Sequence, residues 1–176
     1  YGDLAVACVT EDHFMLFGSG AMQEAHRRWF EKDLPEDVSY DNVSDDWHGI
    51  ALSGPKSRAL LQRISRDDVS AEAVKFRDLR QSFVGGVPVI LSRISFSGEL
   101  GYEIYCKPTY LLRLAETIEE AGKDLSYRWY GARALMSMRL EKGWGAWALD
   151  YRPDFDAIQS GLSAFINWKK DFVGKD

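Results

Sequence analysis

Leu79-Arg80-Gln81-Ser82-Phe83-Val84-Gly85-Gly86-Val87-Pro88-Val89-Ile90-Leu91-Ser92-Arg93-Ile94-Ser95-Phe96-Ser97-Gly98-Glu99-Leu100-Gly101-Tyr102-Glu103-Ile104-Tyr105-Cys106 decides the fold. Two β-rich runs, Leu79–Val84 and Val87–Phe96, flank Gly85-Gly86, a dipeptide suited to a two-residue hairpin turn. Ser97-Gly98-Glu99-Leu100-Gly101 makes a second turn, and Tyr102–Cys106 returns as a third strand. The stretch therefore reads as a three-stranded antiparallel meander.

Working outward, Pro108-Thr109 opens a helix lined by Leu111, Leu114, Ala115 and Ile118 and stopped near Gly122. A further helix spans Gly131–Lys142, with Gly143 after it. Toward the N-terminus, Leu4–Val9 and His13–Phe17 read as a hairpin around Glu11-Asp12. Met22, Ala25, His26, Trp29 and Phe30 carry helical spacing. Val38–Ser44 and Trp47–Leu52 read as two more strands. Ser53-Gly54-Pro55 starts a helix whose apolar face is Leu60, Leu61 and Ile64. The order predicts an α+β fold with antiparallel sheets and packed helices. It divides into a ββαββα subdomain over residues 1–70 and a βββαα subdomain over 71–176 that ends in an aromatic tail. The chain lacks an initiator Met and opens straight into a strand-like segment, so it reads as a piece of a longer protein.

The 176 residues carry 22 Lys+Arg against 27 Asp+Glu, a formal charge of -5. That sign argues against nucleic-acid binding, which rests on clustered cations. No apolar run reaches the roughly 18–20 residues of a membrane span. Two cysteines, Cys8 and Cys106, sit in apolar strand runs and read as buried thiols of a reducing compartment, either cytoplasm or an organelle matrix. The histidines His13, His26 and His48 lack ligand spacing, so no metal is expected. His26 reads as a satisfied core residue. Gly18-Ser19-Gly20 has Gln23 where a dinucleotide fingerprint needs glycine, and reads as a helix cap.

Two features point to a site. Glu99 lies between Gly98 and Gly101 at a turn tip, where a carboxylate either accepts paired hydrogen bonds from an amidine-like edge or is simply solvated. Trp144, Trp147, Tyr151, Phe155, Phe165 and Trp168 crowd the tail. They either stack on a flat heterocycle or fill the core.

These segments together resemble the aminomethyltransferase (glycine-cleavage T-protein) family. Arg93–Glu103 is similar to its R-x-S/G-Y-T/S-G-E-x-G-x-E motif, Met138–Gly143 to L-R-L-E-x-G, and Asp171–Lys175 to D-F-I-G-K. Lys142, Trp147 and Ser160-Gly161-Leu162 resemble the branch fused to FAD-dependent dimethylglycine and sarcosine dehydrogenases.

The resemblance implies a tetrahydrofolate-binding one-carbon transfer domain. A flavin domain outside this chain would oxidise an N-methyl amine such as dimethylglycine or sarcosine. Glu99 would hold the pteridine amino and N3–H edge, and Trp147 or Tyr102 would pack on rings. Asp3, in Tyr1-Gly2-Asp3-Leu4-Ala5-Val6, matches the family's catalytic Asp, and Asp150 matches the Asp of L-Y-G-x-D. The family's folate-contacting Arg is replaced at Leu135, with Arg133 two positions earlier as the candidate for its role. Phe96 stands where the family has tyrosine. The implied partners are a small-molecule substrate and the remaining domains of the parent chain, with self-association a further expectation. The alternatives are a non-catalytic scaffold of the same fold and a sulfonium demethylase to folate.

Overall fold

The computed structural model describes residues 4–147 and 149–175. Strands β1 (Ala5–Cys8) and β2 (Phe14–Phe17) form a two-stranded antiparallel hairpin with Val6 opposite Leu16. Helix α1 (Gln23–Lys32) follows it. A second sheet has four strands: β3 (His48–Ser53), β4 (Leu79–Val84), β5 (Val87–Ser92) and β6 (Gly101–Cys106), in the order β3-β6-β5-β4. Every pairing in it is antiparallel. It takes one strand from residues 1–70 and three from 71–176. Helices α2 (Ser57–Ile64) and α3 (Leu111–Gly122) pack together with it, and α4 (Ala132–Lys142) follows.

The meander forms as its sequence demands. Gly85 and Gly86 both take positive φ, 58° and 77°, the conformation a two-residue hairpin turn requires. The period of two then sorts the strands. Leu52, Tyr102, Ile104, Leu91, Val89 and Val84 point to one face and meet Leu60, Leu61, Leu114 and Ile118 from α2 and α3. This cluster is the core, and Leu61, Leu91, Ile104 and Ile118 are wholly enclosed. On the opposite face, the Phe17 ring of the first hairpin meets Tyr105 at 5.0 Å between centroids. Burial and the neighbouring Glu103 charge raise the Tyr105 phenol above its usual range, and its hydroxyl donates to the Glu103 carboxylate.

Three expectations are corrected. Val38–Ser44 is irregular, not a strand: its apolar positions Val38 and Val43 are exposed, and Asn42 folds back to bond Ser44 instead of pairing. Strand β5 stops at Ser92, where Arg93 N–H donates to the Asp78 carbonyl outside the ladder. On α1, the apolar spacing does not bury a stripe, since Trp29 is exposed and His26 alone is buried. No helix of the described residues is long and apolar enough to cross a membrane.

Candidate functional site

The turn between β5 and β6 is built from side chains as well as backbone. Ser95 Oγ and Ser97 Oγ lie 2.9 Å apart, and Glu99 N–H donates to Ser97 Oγ at 3.4 Å. On its far side the turn is tied to α2: Gly54 N–H and Ser57 Oγ both donate to the Leu100 carbonyl, at 2.8 and 3.0 Å. Gly98 takes φ 79°. A Cβ there would fall 2.6 Å from both Cβ and Cδ of Lys142. The last turn of α4 therefore presses on this glycine, and Glu99 is lifted outward and exposed. Among the described residues its carboxylate has no hydrogen-bond or ion-pair partner.

From Lys142 the chain turns at Gly143 into the segment that carries Trp147. Arg139 anchors this segment. Its guanidinium is buried and donates from Nη1 to the Trp144 carbonyl at 2.9 Å and to the Asp150 carboxylate. Asp150 also accepts the Ala146 N–H at 2.8 Å. That backbone bond, and then Arg139, hold the Asp150 carboxyl below the ordinary carboxylate range. The loop is thus closed on one ion pair, and Trp147 bridges to Tyr151 within it. The Trp147 ring is half-buried and stands edge-on to His26, 6.3 Å between centroids at 82°.

The residues singled out from sequence are not all brought together. Glu99 and Trp147 lie at the two chain segments that meet the C-terminal end of α4. Arg133 is exposed in the first turn of α4, at its other end. Tyr102 is corrected: its ring is wholly enclosed in the core, with its hydroxyl accepting from Arg58 Nε at 3.0 Å, and no face is open to a ligand. Its position in β6, one step from Leu52 across the ladder, puts it on the core face. Asp3 lies outside the described residues. Of the tail aromatics, Trp144, Phe155, Phe165 and Trp168 are exposed, so they do not fill the core. Cys8 is exposed as well, whereas Cys106 is buried.

Sequence reasoning missed the backing of the turn by Lys142. It also missed the pairing of Arg139 with Asp150, although both residues lay inside quoted motifs. His26 is buried as expected, but it is not satisfied: Nε2 has no hydrogen-bond partner among the described residues.

Residues 1–170 match the family model described as the GCVT N-terminal domain. The chain is 32% identical over 181 residues to mitochondrial dimethylglycine dehydrogenase of Homo sapiens, which covers 99% of this chain and 21% of that protein. It is 29% identical over 174 residues to the aminomethyltransferase of Halothermothrix orenii, covering 98% of this chain and 48% of the relative. The chain thus spans about a fifth of the first relative and about half of the second. Among solved structures, heterotetrameric sarcosine oxidase from Corynebacterium sp. U-96, in complex with pyrrole 2-carboxylate, superposes with a TM-score of 0.59. The superposition covers 74% of this chain and 65% of that one at 16% identity, a likeness of fold alone.

Proposed function

Since the chain belongs to the GCVT N-terminal domain family, we propose that it binds tetrahydrofolate and takes part in one-carbon transfer from an N-methyl amine such as dimethylglycine or sarcosine. The observation that carries this reading is the Glu99 carboxylate. It stands exposed on a glycine turn that α4 and α2 hold from two sides, and among the described residues nothing within the chain claims it. A carboxylate presented in this way fits the paired N–H donors of a pteridine edge. Tetrahydrofolate, when bound, supplies the nitrogen that takes up the one-carbon unit.

The chain's own residues orient and stabilise. Glu99 accepts the two N–H bonds and fixes the heterocycle's orientation. Trp147 offers an aromatic face, and Arg133 supplies a cation. Asp3, on the strength of its sequence match alone, is assigned the role of stabilising the developing positive charge and accepting a proton. Positioning of this kind accounts for rate without a protein nucleophile. Oxidation of the amine falls to a flavin domain outside residues 1–176. A second reading, a non-catalytic scaffold of the same fold, draws on Leu135 in place of the family Arg and on the enclosure of Tyr102.

The test is calorimetric titration of the chain and of its Glu99→Gln variant with tetrahydrofolate. Loss of a charge-assisted hydrogen bond is worth about 1.5–3 kcal/mol, roughly tenfold to a hundredfold in affinity. Equal affinity for the two proteins removes Glu99 from the site, and no binding by the unmodified chain favours the scaffold.

A further inference from the structure

His26 is a buried titratable group that the proposed chemistry leaves unused. It sits on α1 with 9% of its surface exposed. Three neighbours enclose it. The Phe30 ring lies 6.3 Å away between centroids, tilted by 40°, and the Trp147 ring meets it edge-on. Gly18 forms the third wall: a Cβ there would come within 3.5 Å of His26 Nδ1, and Leu4 packs on the same glycine.

These neighbours are two aromatic rings and a glycine, yet the residue is polar. Its Nε2 is shut off from solvent and lacks a hydrogen-bond partner among the described residues. A buried nitrogen in that state lowers stability, and a phenylalanine of nearly the same shape would not. Residues held at such a cost are concentrated where function requires them. Trp147, one of the three candidate ligand-facing side chains among the described residues, is the ring in edge contact with this imidazole.

We propose that His26 belongs to the ligand site, its Nε2 forming a hydrogen bond with a polar atom of a reduced pterin seated against Trp147. The inference rests on the tetrahydrofolate reading above and extends it, because it recruits α1 and the first hairpin to a site otherwise built from the β5–β6 turn and the α4 loop. An imidazole suits this role, since either ring nitrogen donates or accepts according to tautomer.

The experiment pairs stability with binding in the full chain. His26→Phe and His26→Gln are compared with the unmodified protein by thermal melting and by calorimetric titration with 5-formyltetrahydrofolate. For His26→Phe the expected result is opposite in sign on the two axes. The midpoint rises by about 2–4 °C, because an unpaired buried polar atom is gone. Affinity falls about threefold to tenfold, the worth of one neutral hydrogen bond. His26→Gln, which keeps a polar atom, retains affinity within about threefold. A higher midpoint with unchanged affinity overturns the proposal and leaves His26 a packing residue. A lower midpoint also overturns it, because it shows that Nε2 has an internal partner. If the unmodified chain fails to bind the folate at all, the tetrahydrofolate reading itself falls. If it binds and only His26→Phe is silent, that reading stands and this inference alone is lost.

Discussion

Gly98→Ala probes the junction on which the site is built. Two separate costs are expected. Gly98 has φ 79°, and an L-residue held in the left-handed region costs about 1–2 kcal/mol. The added methyl would also fall 2.6 Å from Cβ and Cδ of Lys142. Lys142 Cδ belongs to a flexible stem and can swing away. Cβ is fixed to the last turn of α4 and moves only if the helix does. Overpacking of that kind adds about 1–3 kcal/mol, so the variant should lose roughly 2–5 kcal/mol in all. Urea denaturation at fixed pH measures the loss. A second variant separates the two costs. Lys142→Ala removes the stem but keeps Cβ, so in its background Gly98→Ala should cost less, yet never less than the backbone share. Because Glu99 is the next residue, tetrahydrofolate affinity should fall as well. A Gly98→Ala loss below about 0.5 kcal/mol would refute the account, since neither strain nor crowding could then hold this turn.

Two further perturbations address the site's frame. The Asp150 carboxyl is held down by the Ala146 N–H and Arg139, so its contribution to stability is fully present above the unfolded carboxyl pKa. It is lost as pH falls through the lower, folded value. Melting midpoints of the unmodified chain and Asp150→Asn should therefore converge in acid and separate toward neutrality; a gap independent of pH would contradict the assignment. Tyr102→Phe removes the hydroxyl bonded to Arg58 and should cost about 0.5–1.5 kcal/mol by denaturation while leaving folate affinity unchanged. A drop in affinity would return Tyr102 to the site.

The meander and its turns were legible because local chemistry and global pairing agree there. Gly85-Gly86 allows one kind of turn, and in β6 the buried Tyr102, Ile104 and Cys106 alternate with the less buried Glu103 and Tyr105, whereas Val87–Leu91 is apolar throughout and buries Ile90 on the other face as well. Val38–Ser44 failed for the opposite reason. Val38, Tyr40 and Val43 favour extended backbone, but Asp41-Asn42 favours a turn, and with Val38 and Val43 exposed no sheet partner or core rewards pairing. The site divides along the same line. The exposed place of Glu99 on a glycine turn could be read from sequence, since the turn is local. Tyr102 was misplaced although its strand was right, because composition shows that an aromatic is present but not which side of a sheet it faces. Register against Leu52 decides that, and register is set by long-range pairing. Lys142, Asp150 and His26 act through contacts that no short motif records.

The arrangement ties the proposed ligand turn to the core through one carbonyl. Leu100 O accepts from Gly54 N–H, in the turn before α2, and from Ser57 Oγ at the first residue of α2, while Leu60 and Leu61 of the same helix are among the most enclosed side chains. Across the turn, Lys142 closes on Gly98, and Arg139, one helical turn earlier in α4, clamps the loop that carries Trp147. Glu99 is thus exposed yet not loosely held, because a shift of its turn must either break the α2 contacts or move α4. A shift of α4 would carry Trp147 with it through Arg139. On the proposed reading, a ligand held at Glu99 and packed on Trp147 would depend at both points on the end of α4, so a substitution that loosens Arg139 should weaken both contacts together and not one alone.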